Sequence, residues 1–279
     1  MDVTRPSEIT DLFRRKGFTA RKSWGQNFLV NGEAVGKLIS AAELTRGDTV
    51  LEIGPGLGVM TEPLLAAGGK VVAVEIDPFL VQFLSRRFSQ QEKLRLVQGD
   101  ALAQDFSLLV SDPYIVVANL PYYISSPILI KLIEQPQPPT RAIVLLQLEV
   151  ARRLTALPGT RDYGALTIFI QYHCHAELLF KLGPGNFFPQ PMVDSAAVRL
   201  RWRPYPVQPG NERLMFRIVK IAFSQRRKML KGLLASALHL AKEDAGRALT
   251  QIGLTEDIRG ERLSIENFVA LTNLLEGQI

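Results

Sequence analysis

The chain has 279 residues, of which 47% are hydrophobic and 22% are charged. This composition can build a sizeable core, and it excludes an intrinsically disordered chain and collagen-like repeats. The apolar runs all end well before about 18 residues, so no membrane-spanning helix is expected. The single cysteine, Cys174, excludes an internal disulfide and a cysteine-rich zinc site. The first 30 residues contain acids and no apolar leader segment, which predicts a cytoplasmic protein.

The formal net charge of +6 is concentrated in two segments. Residues 199–231 contain ten Lys or Arg and one acid, Glu212, which is a local surplus of +9. The second basic segment contains Arg14, Arg15, Lys16, Arg21 and Lys22. Such segments indicate a polyanionic partner, most often nucleic acid, although a solvated helix face is the alternative.

Helices are predicted over residues 7–16, with Ser7 as the cap, and over residues 32–43. From residue 49, strands and helices alternate. The predicted strands are 49–53, 70–76, 94–97, 114–118, 141–147, 165–175 and 195–202. The predicted helices between them are 61–67, 78–88 and 127–134. This alternation predicts an α/β fold with a doubly wound, mostly parallel sheet.

A linker is predicted over residues 203–210, which contain three prolines. Everything beyond it has helical periodicity. The predicted helices there are 212–239, 242–252 and 265–275. We therefore predict an α/β domain over residues 1–204 and a small, basic, helical domain over residues 205–279.

A glycine-rich turn at residues 54–58 follows the first strand of the alternation. Glycines let a backbone approach a ligand, and the next helix offers free N–H groups. The third glycine comes one position earlier than in the dinucleotide-binding pattern G-x-G-x-x-G. Glu52 adds a carboxylate before the turn, which suits a ligand with an amino group and a cationic sulfur better than a pyrophosphate.

Two further acids follow the next two predicted strands. Glu75 ends the second strand, 21 residues after Gly54, and can accept both hydroxyls of a ribose. Asp100 follows the third strand and can accept from an adenine amine. An acid at the position of Glu75 is compatible with both NAD and S-adenosylmethionine, so it does not by itself identify the ligand. Acids at the carboxyl ends of successive strands do lie where open sheets bind ligands.

The fourth strand of the alternation leads into Asn119, Leu120, Pro121 and Tyr122. If the Asn119 side-chain oxygen and the Leu120 carbonyl accept both N–H bonds of an aryl amine, the nitrogen lone pair can point at a methyl group. Pro121 keeps the turn rigid, and Tyr122 can stack on the base. Positioning of this kind can lower a barrier by about 7–11 kcal/mol. The alternative is an ordinary strand-ending turn.

With these residues, the chain resembles the KsgA family of ribosomal RNA adenine dimethyltransferases over nearly its whole length. The motifs that carry the resemblance are residues 25–29, 52–58, 99–101, 119–124, 193–196 and 222–228. The resemblance implies a Rossmann-like, seven-stranded class I methyltransferase sheet, with its last strand antiparallel, and a helical C-terminal domain. It also implies a role in biogenesis of the small ribosomal subunit.

The implied reaction moves methyl groups from S-adenosylmethionine to the N6 amines of two adjacent adenosines. These adenosines lie in the 3′-terminal hairpin of small-subunit rRNA, and the product is N6,N6-dimethyladenosine. The implied cofactor-binding residues are Asn27, Leu29, Gly54, Gly56, Glu75, Asp100 and Asn119. The implied catalytic residues, which hold the target base, are Asn119, Leu120, Pro121, Tyr122 and Phe187.

RNA contacts are predicted from charge. The residues concerned are Arg21, Lys22, Arg226, Arg227, Lys228 and Lys231, the last four on one predicted helix. The chain departs from the family pattern at Leu148 and Met192, where lysine is usual, and at Gln190, where proline is usual. These departures concern local RNA contacts. The expected partner is the rRNA of an assembling small subunit, and a monomer is the default expectation.

This function has four alternatives. They are the related large-subunit RNA methyltransferase that confers macrolide resistance, a DNA adenine methyltransferase, a non-catalytic assembly factor and a nicotinamide dehydrogenase. His173, Cys174 and His175 together suggest a metal site. On a strand, only the two histidines share a face, which leaves two ligands where a structural zinc needs four, so no metal is predicted.

Overall fold

The computed structural model describes residues 1–21, 24–111 and 113–278. These residues form two compact units. The first unit contains Met1–Ala151 and His175–Trp202. The second contains Arg152–Cys174 and Arg203–Ile279. The predicted division at residue 204 therefore misplaces residues 152–174, which belong with the C-terminal helices.

The strands are β1 (Phe28–Leu29), β2 (Thr49–Ile53), β3 (Lys70–Glu75), β4 (Leu94–Gln98), β5 (Tyr114–Asn119), β6 (Arg141–Gln147), β7 (Cys174–Leu182), β8 (Phe187–Phe188) and β9 (Ser195–Trp202). The helices up to the end of β6 are α1 (Pro6–Lys16), α2 (Gly32–Ala41), α3 (Thr61–Ala66), α4 (Pro78–Arg87) and α5 (Ser125–Ile133). The later helices are α6 (Leu148–Leu154), α7 (Ala165–His173), α8 (Glu212–Ser224), α9 (Leu230–Leu238), α10 (Lys242–Gln251) and α11 (Ile265–Leu275).

Within the described residues, seven strands form one sheet in the order β4-β3-β2-β5-β6-β9-β7. The strands from β4 to β6 in this order pair in parallel, and β9 pairs antiparallel with β6. The predicted α/β fold with a seven-stranded methyltransferase sheet is confirmed. The chain runs outward from β2 through β3 to β4 and then crosses to β5 on the other side of β2. The strand order therefore reverses between β2 and β5, which creates a crevice at the carboxyl edge of the sheet.

The central strands are almost wholly buried because helices cover both faces of the sheet. Apolar runs such as Ile115–Ala118 in β5 and Ala142–Leu146 in β6 lie at most 3% exposed. Two short strands, β1 and β8, form a separate antiparallel pair with Leu29 opposite Phe187. This pair fastens the N-terminal segment beside the carboxyl edge of the sheet.

Helix α1 begins one residue earlier than predicted, and Ser7 is not its cap. Arg5 occupies the N-cap position without a side-chain cap bond, and Pro6 occupies the first helical turn. Proline suits this position because its missing N–H has no helical partner there. Gly17 ends the helix in the left-handed conformation.

Residues 165–173 were predicted as part of a strand, and this prediction was wrong. They form α7, and β7 begins only at Cys174. The β-branched and aromatic side chains favour a strand locally, but tertiary packing overrides that preference. Ile168 and Tyr172, four residues apart, enter the core of the second unit. The Thr167 hydroxyl accepts from the Gly164 N–H at 3.0 Å and stabilises the first turn.

The predicted helix over residues 212–239 is broken by a loop between α8 and α9. Tertiary hydrogen bonds replace helical ones there. The Arg226 guanidinium donates to the carbonyls of Arg161 and Tyr163 at 2.7 and 2.6 Å. The Leu230 N–H donates to the Ile258 carbonyl at 2.8 Å. The triplet of cations at residues 226–228 therefore lies on a turn and not on a helix face.

The second unit has its own apolar core, which residues from α7 to α11 share. Its largest members include Tyr163, Phe268 and Met215. The Tyr163 hydroxyl donates to the Leu263 carbonyl at 2.9 Å, which satisfies the buried phenol. Among the described helices, none combines the length and apolar character needed to cross a bilayer.

Candidate active site

A cavity of about 910 Å³, counted with the solvent space at its mouth, lies at the carboxyl edge of the sheet in the first unit. The predicted cofactor and base-holding residues that line it are Asn27, Leu29, Gly54, Gly56, Glu75, Asp100, Asn119, Leu120, Pro121 and Tyr122. Phe187 does not belong to this lining. The loops after four parallel strands and the segment before α2 thus bring most of the predicted site together.

The glycine-rich turn has three left-handed glycines, but they have different reasons to be glycine. A Cβ on Gly56 would lie 2.9 Å from the Phe28 ring, and one on Gly58 would lie 2.7 Å from the Phe88 ring. These two positions admit no side chain because the chain itself packs against them. Gly54 has a φ of +69° and ordinary contacts of 3.8 Å, and it lines the cavity. Of the three, Gly54 is best placed to meet a ligand with its backbone.

Glu52 does not reach the cavity, so its predicted contact with an amino group is wrong. Its side chain is 0% exposed and lies beneath the turn, where its Oε2 accepts from the Thr61 hydroxyl at 2.7 Å. Burial raises the pKa of the Glu52 carboxyl to about 8, against the lowering effect of the Thr61 bond. Its Oε1 has no hydrogen-bond partner among the described residues. The group is therefore protonated at neutral pH.

Glu75 lies in the cavity wall with both carboxylate oxygens oriented by backbone donors. Oε2 accepts from the Gly56 N–H at 3.1 Å, and Oε1 accepts from the Asp77 N–H at 3.0 Å. Burial raises the pKa of Glu75, and these bonds oppose the rise. Each oxygen keeps a lone pair for a further donor, so the carboxylate can accept two hydroxyls.

Gln26 joins the N-terminal segment to the turn after β3, a connection that the sequence did not reveal. Its Nε2 donates to Asp77 Oδ2 at 2.9 Å, while its Oε1 accepts from the Arg21 N–H at 2.7 Å. Asp77 is buried and also caps α4 by accepting from the Phe79 N–H at 2.9 Å. Asp77 precedes Pro78 at a helix start, and that spacing is a readable capping signal.

Asn119 stands where β5 leaves the sheet, and its orientation follows from its partner. Its Nδ2 donates to the Asn27 carbonyl at 3.0 Å. A carbonyl only accepts, so the nitrogen must be on this side and the side-chain oxygen is left for another donor. The Leu120 N–H donates to the Leu145 carbonyl at 3.1 Å and holds the turn against β6.

The Tyr122 ring is half-buried at the cavity and is fixed by a bond to β9. Its phenol oxygen lies 2.6 Å from the hydroxyl oxygen of Ser195, which is fully buried. Burial raises the pKa of Tyr122, and the Ser195 bond opposes the rise. Tyr123, a second aromatic at the cavity, is 51% exposed and was not singled out from the sequence.

Phe187 was expected to cover one face of the target base, but the structure places it elsewhere. Its side chain is 2% exposed and packs in the core cluster of the first unit with Leu29 and Val35. Phe188, the next aromatic, packs on the other cluster with Phe13 and Phe28. Phe187 and Phe188 are adjacent in β8, so their side chains point to opposite faces of the strand. Because β8 pairs with β1, each ring packs against a different apolar cluster.

Asp100 is exposed at the cavity mouth, and its Oδ1 accepts from the Leu102 N–H at 2.8 Å. Of the described residues that line the cavity, two are acids and none is a lysine or arginine. A lining with carboxylate acceptors and no lysine or arginine suits a positively charged ligand, so these residues fit S-adenosylmethionine. Glu75, Asp100, Gly54 and the Asn27–Leu29 segment would hold it.

The predicted RNA-binding residues differ in whether their side chains are already engaged by other groups of the protein. Arg21 is exposed, and its guanidinium lies 4.1 Å from the centre of the Trp24 ring. Lys22 lies outside the described residues. In the second unit, Arg226 is engaged with backbone carbonyls and Lys231 pairs with Glu256 at 2.5 Å. Arg227 and Lys228 are exposed on the same loop.

Part of the basic surplus is also neutralised within the first unit. Arg199 pairs with Glu177 at 2.6 Å and with Glu43 at 3.1 Å, and Arg201 pairs with Glu43 at 2.6 Å. The charges of Arg199 and Arg201 in β9 are thus balanced by Glu43 and Glu177. The cations that remain for a polyanion are fewer than the sequence count indicates.

The His173–His175 segment does not have the geometry assumed for it. His173 ends α7, whereas His175 lies in β7, so the two do not share a strand face. Burial lowers the pKa of His173, and burial raises the pKa of the Cys174 thiol to about 12. Among residues 1–21, 24–111 and 113–278, no three His, Cys, Asp or Glu side chains are placed to hold a metal.

The strand order, with a cavity at the carboxyl edge that Gly54, Glu75 and Asn119 line, is that of a class I methyltransferase. The family model described as "Ribosomal RNA adenine dimethylase" matches residues 17–276. The chain belongs to that family.

Similar proteins agree with this assignment over almost the whole chain. A protein of Clostridioides difficile named "Ribosomal RNA small subunit methyltransferase A" is 40% identical and covers 96% of this chain and 95% of its own. The protein of that name from Moorella thermoacetica is 41% identical and covers 98% and 99%.

Two solved structures also match. A dimethyladenosine transferase from Plasmodium falciparum has a TM-score of 0.77 at 25% identity, covering 90% of this chain and 98% of its own. The 23S rRNA methyltransferase ErmE has a TM-score of 0.71 at 28% identity, covering 90% and 100%.

Proposed function

We propose that this chain dimethylates the N6 amines of two adjacent adenosines in the 3′-terminal hairpin of small-subunit rRNA. The observation that carries the proposal is the bond from Asn119 Nδ2 to the Asn27 carbonyl. This bond orients the Asn119 side-chain oxygen as an acceptor in the cavity that Gly54 and Glu75 also line. The family relatives named for the small subunit, at about 40% identity, support this substrate over large-subunit RNA.

The residues divide the work between cofactor and base. S-adenosylmethionine, when bound, supplies an electrophilic methyl group. Asn119 and the Leu120 carbonyl accept the two N–H bonds of the target amine, and Tyr122 stacks on its base. The amine nitrogen forms the new N–C bond as the methyl C–S bond breaks, and the displaced amine proton passes to solvent. Positioning in this way can contribute about 7–11 kcal/mol.

The helical second unit is proposed to contact RNA through Arg227 and Lys228 on the loop between α8 and α9. Both side chains are exposed and lie next to each other in sequence. Contribution to small-subunit biogenesis, a cytoplasmic location and a monomeric state remain predictions from the sequence and the family resemblance.

The test is methyl transfer from radiolabelled S-adenosylmethionine to undermethylated small subunits and, in parallel, to large-subunit RNA. The products are digested to nucleosides and separated. We expect dimethyladenosine from the small subunit alone. Label in large-subunit RNA would favour an activity like that of ErmE, a structural neighbour at 28% identity. Cofactor binding without transfer to either RNA would refute the enzymatic proposal.

A further inference from the structure

A groove in the first unit lies between α1 and α4 and shares no lining residue with the cavity. It encloses about 1110 Å³, counted with the solvent space at its mouth. Leu12 and Lys16 line it from α1, and Phe79, Gln82, Phe83 and Arg86 line it from α4. Nothing in the proposed methyl transfer uses this groove.

The floor of the groove is apolar and well ordered by packing. Phe79 and Phe83 lie four residues apart and therefore share one face of α4. The Phe18 ring stacks on Phe79 with 4.3 Å between centroids and an 18° angle between planes. Phe83 packs against the core cluster that contains Phe13 and Leu80. The two half-buried rings thus present fixed surfaces and not mobile side chains.

The rim of the groove is cationic. Lys16 is in the last turn of α1 and Arg86 is in the last turn of α4. In the described part of the chain, neither side chain makes an ion pair, whereas nearby Arg87 pairs with Glu62 at 2.6 Å. A cation at a helix C-terminus offsets the helix dipole by about 0.3–1 kcal/mol. That effect explains a cation at each helix end but not the aromatic floor between them.

We propose that this groove binds an unpaired stretch of the RNA substrate. Phosphates would lie against Lys16 and Arg86, a base would stack on Phe83 or Phe79, and the exposed Gln82 amide can both donate to and accept from base edges. Fixed aromatic faces combined with cations are the recurring design for single-stranded nucleic acid. The inference rests on the proposed function, since it assumes an RNA substrate, and adds a contact surface to it.

The experiment neutralises the two rim cations with Lys16→Gln and Arg86→Gln in one variant. The matched control is Lys70→Gln with Lys93→Gln, which removes the same charge from exposed positions at the amino ends of β3 and β4. Dissociation constants are measured over a range of salt concentrations. The two probes are full-length small-subunit rRNA stripped of protein and intact undermethylated small subunits.

For the groove variant we expect affinity for both probes to fall about tenfold. We also expect the slope of log affinity against log salt to become shallower by about 1.4, because each single-strand phosphate contributes about 0.7. The control should behave as the unmodified chain does. Ultraviolet crosslinking of the unmodified protein to stripped rRNA should attach nucleotides to Phe79 or Phe83, located by fragmentation of the tryptic peptide 71–86, which carries both rings.

An unchanged salt slope in the groove variant, or no crosslink to that peptide, would overturn the proposal. A loss of affinity for intact subunits but not for stripped rRNA would also overturn it, because an acidic ribosomal protein would then occupy the groove. These readouts require binding and not turnover. Failure of the unmodified chain to form dimethyladenosine would refute the proposed function separately.

Discussion

The Gln26 side-chain amide donates to Asp77 Oδ2 over 2.9 Å. Through Asp77, this bond joins the N-terminal segment to Glu75, an acid that lines the cavity. The Asp77 backbone N–H in turn donates to Glu75 Oε1. Asn27, the neighbour of Gln26, accepts from Asn119. Gln26 and its neighbour Asn27 therefore connect Glu75, which is proposed to hold the cofactor, with Asn119, which is proposed to hold the target amine.

Gln26→Leu should weaken binding of S-adenosylmethionine about 10- to 150-fold, because a hydrogen bond to a charged group contributes about 1.5–3 kcal/mol. Turnover at saturating cofactor should change less. Titration calorimetry and steady-state rates measure the two effects. The double variant Gln26→Glu with Asp77→Asn exchanges donor and acceptor and should restore affinity. Equal weakness in the exchanged pair would contradict the positioning role.

Ser195→Ala should lower kcat/KM for RNA about 2- to 10-fold, since it removes the hydrogen bond between Ser195 and the Tyr122 phenol. Cofactor affinity should not change. Tyr122→Phe should have a similar effect, and the double variant should fall no further than either single variant. Ser85→Ala, on exposed α4 surface, is the control. Additive losses would mean that Ser195 and Tyr122 act independently.

Asn119→Ala should reduce methyl transfer by a factor on the order of 10²–10³, the usual result of removing one preorganised polar group. Cofactor affinity should fall only modestly. Asn119→Asp keeps an acceptor but places a carboxylate against the Asn27 carbonyl, so it should not rescue the rate. Single-turnover transfer with separate cofactor titration distinguishes these effects. Unchanged turnover in Asn119→Ala would refute the amine-orienting role.

The cations of residues 226–228 should separate into two kinds. Arg227→Ala with Lys228→Ala should weaken RNA binding and flatten its salt dependence with little change in the melting temperature. Arg226→Ala should lower the melting temperature, because it leaves two carbonyls without their donor at a cost of about 1–3 kcal/mol. Thermal melting and binding at several salt concentrations test both. The reverse pattern would assign Arg226 to the RNA.

Glu52 should make stability depend on pH. Its carboxyl has a folded pKa of about 8 against 4.5 ordinarily, so the folded state keeps a proton that the unfolded state loses. The stabilisation is full below pH 4.5 and is lost as pH rises through 8. Glu52→Gln should flatten the melting temperature across that window, and Glu92→Gln, at an exposed position, should not. A flat profile for the unmodified chain would contradict this protonation state.

The sequence predicted the sheet well because its strands are continuous apolar runs bounded by turn residues. It also predicts which strand ends meet, because the carboxyl ends of parallel strands lie at one edge of the sheet. Gly54, Glu75, Asp100 and Asn119 are therefore expected together there. This prediction depends only on the parallel topology of the strands. Hydrogen bonds between segments far apart in the chain, such as Gln26 to Asp77 or Tyr122 to Ser195, cannot be predicted in this way.

The errors have physical causes in tertiary packing. Helix α7 has a strand-like composition but is held by the core of the second unit. The loop after α8 exists because Arg226 finds carbonyl acceptors elsewhere in its own unit. Glu52 was assigned to a ligand from its place before the glycine turn, and Phe187 was assigned from the family resemblance. Both side chains instead lie in the protein interior.

The chain leaves the first unit after Ala151, contributes residues 152–174 to the second, and returns at His175. The helical unit is therefore not a contiguous module. A truncated chain ending at residue 204 would keep α7 without α8–α11, exposing Ile168 and Tyr172 to water. A fragment beginning at residue 205 would lack those same side chains. During synthesis, the core around α7 can form only after α8–α11 have left the ribosome, which is after nearly the whole chain has been made.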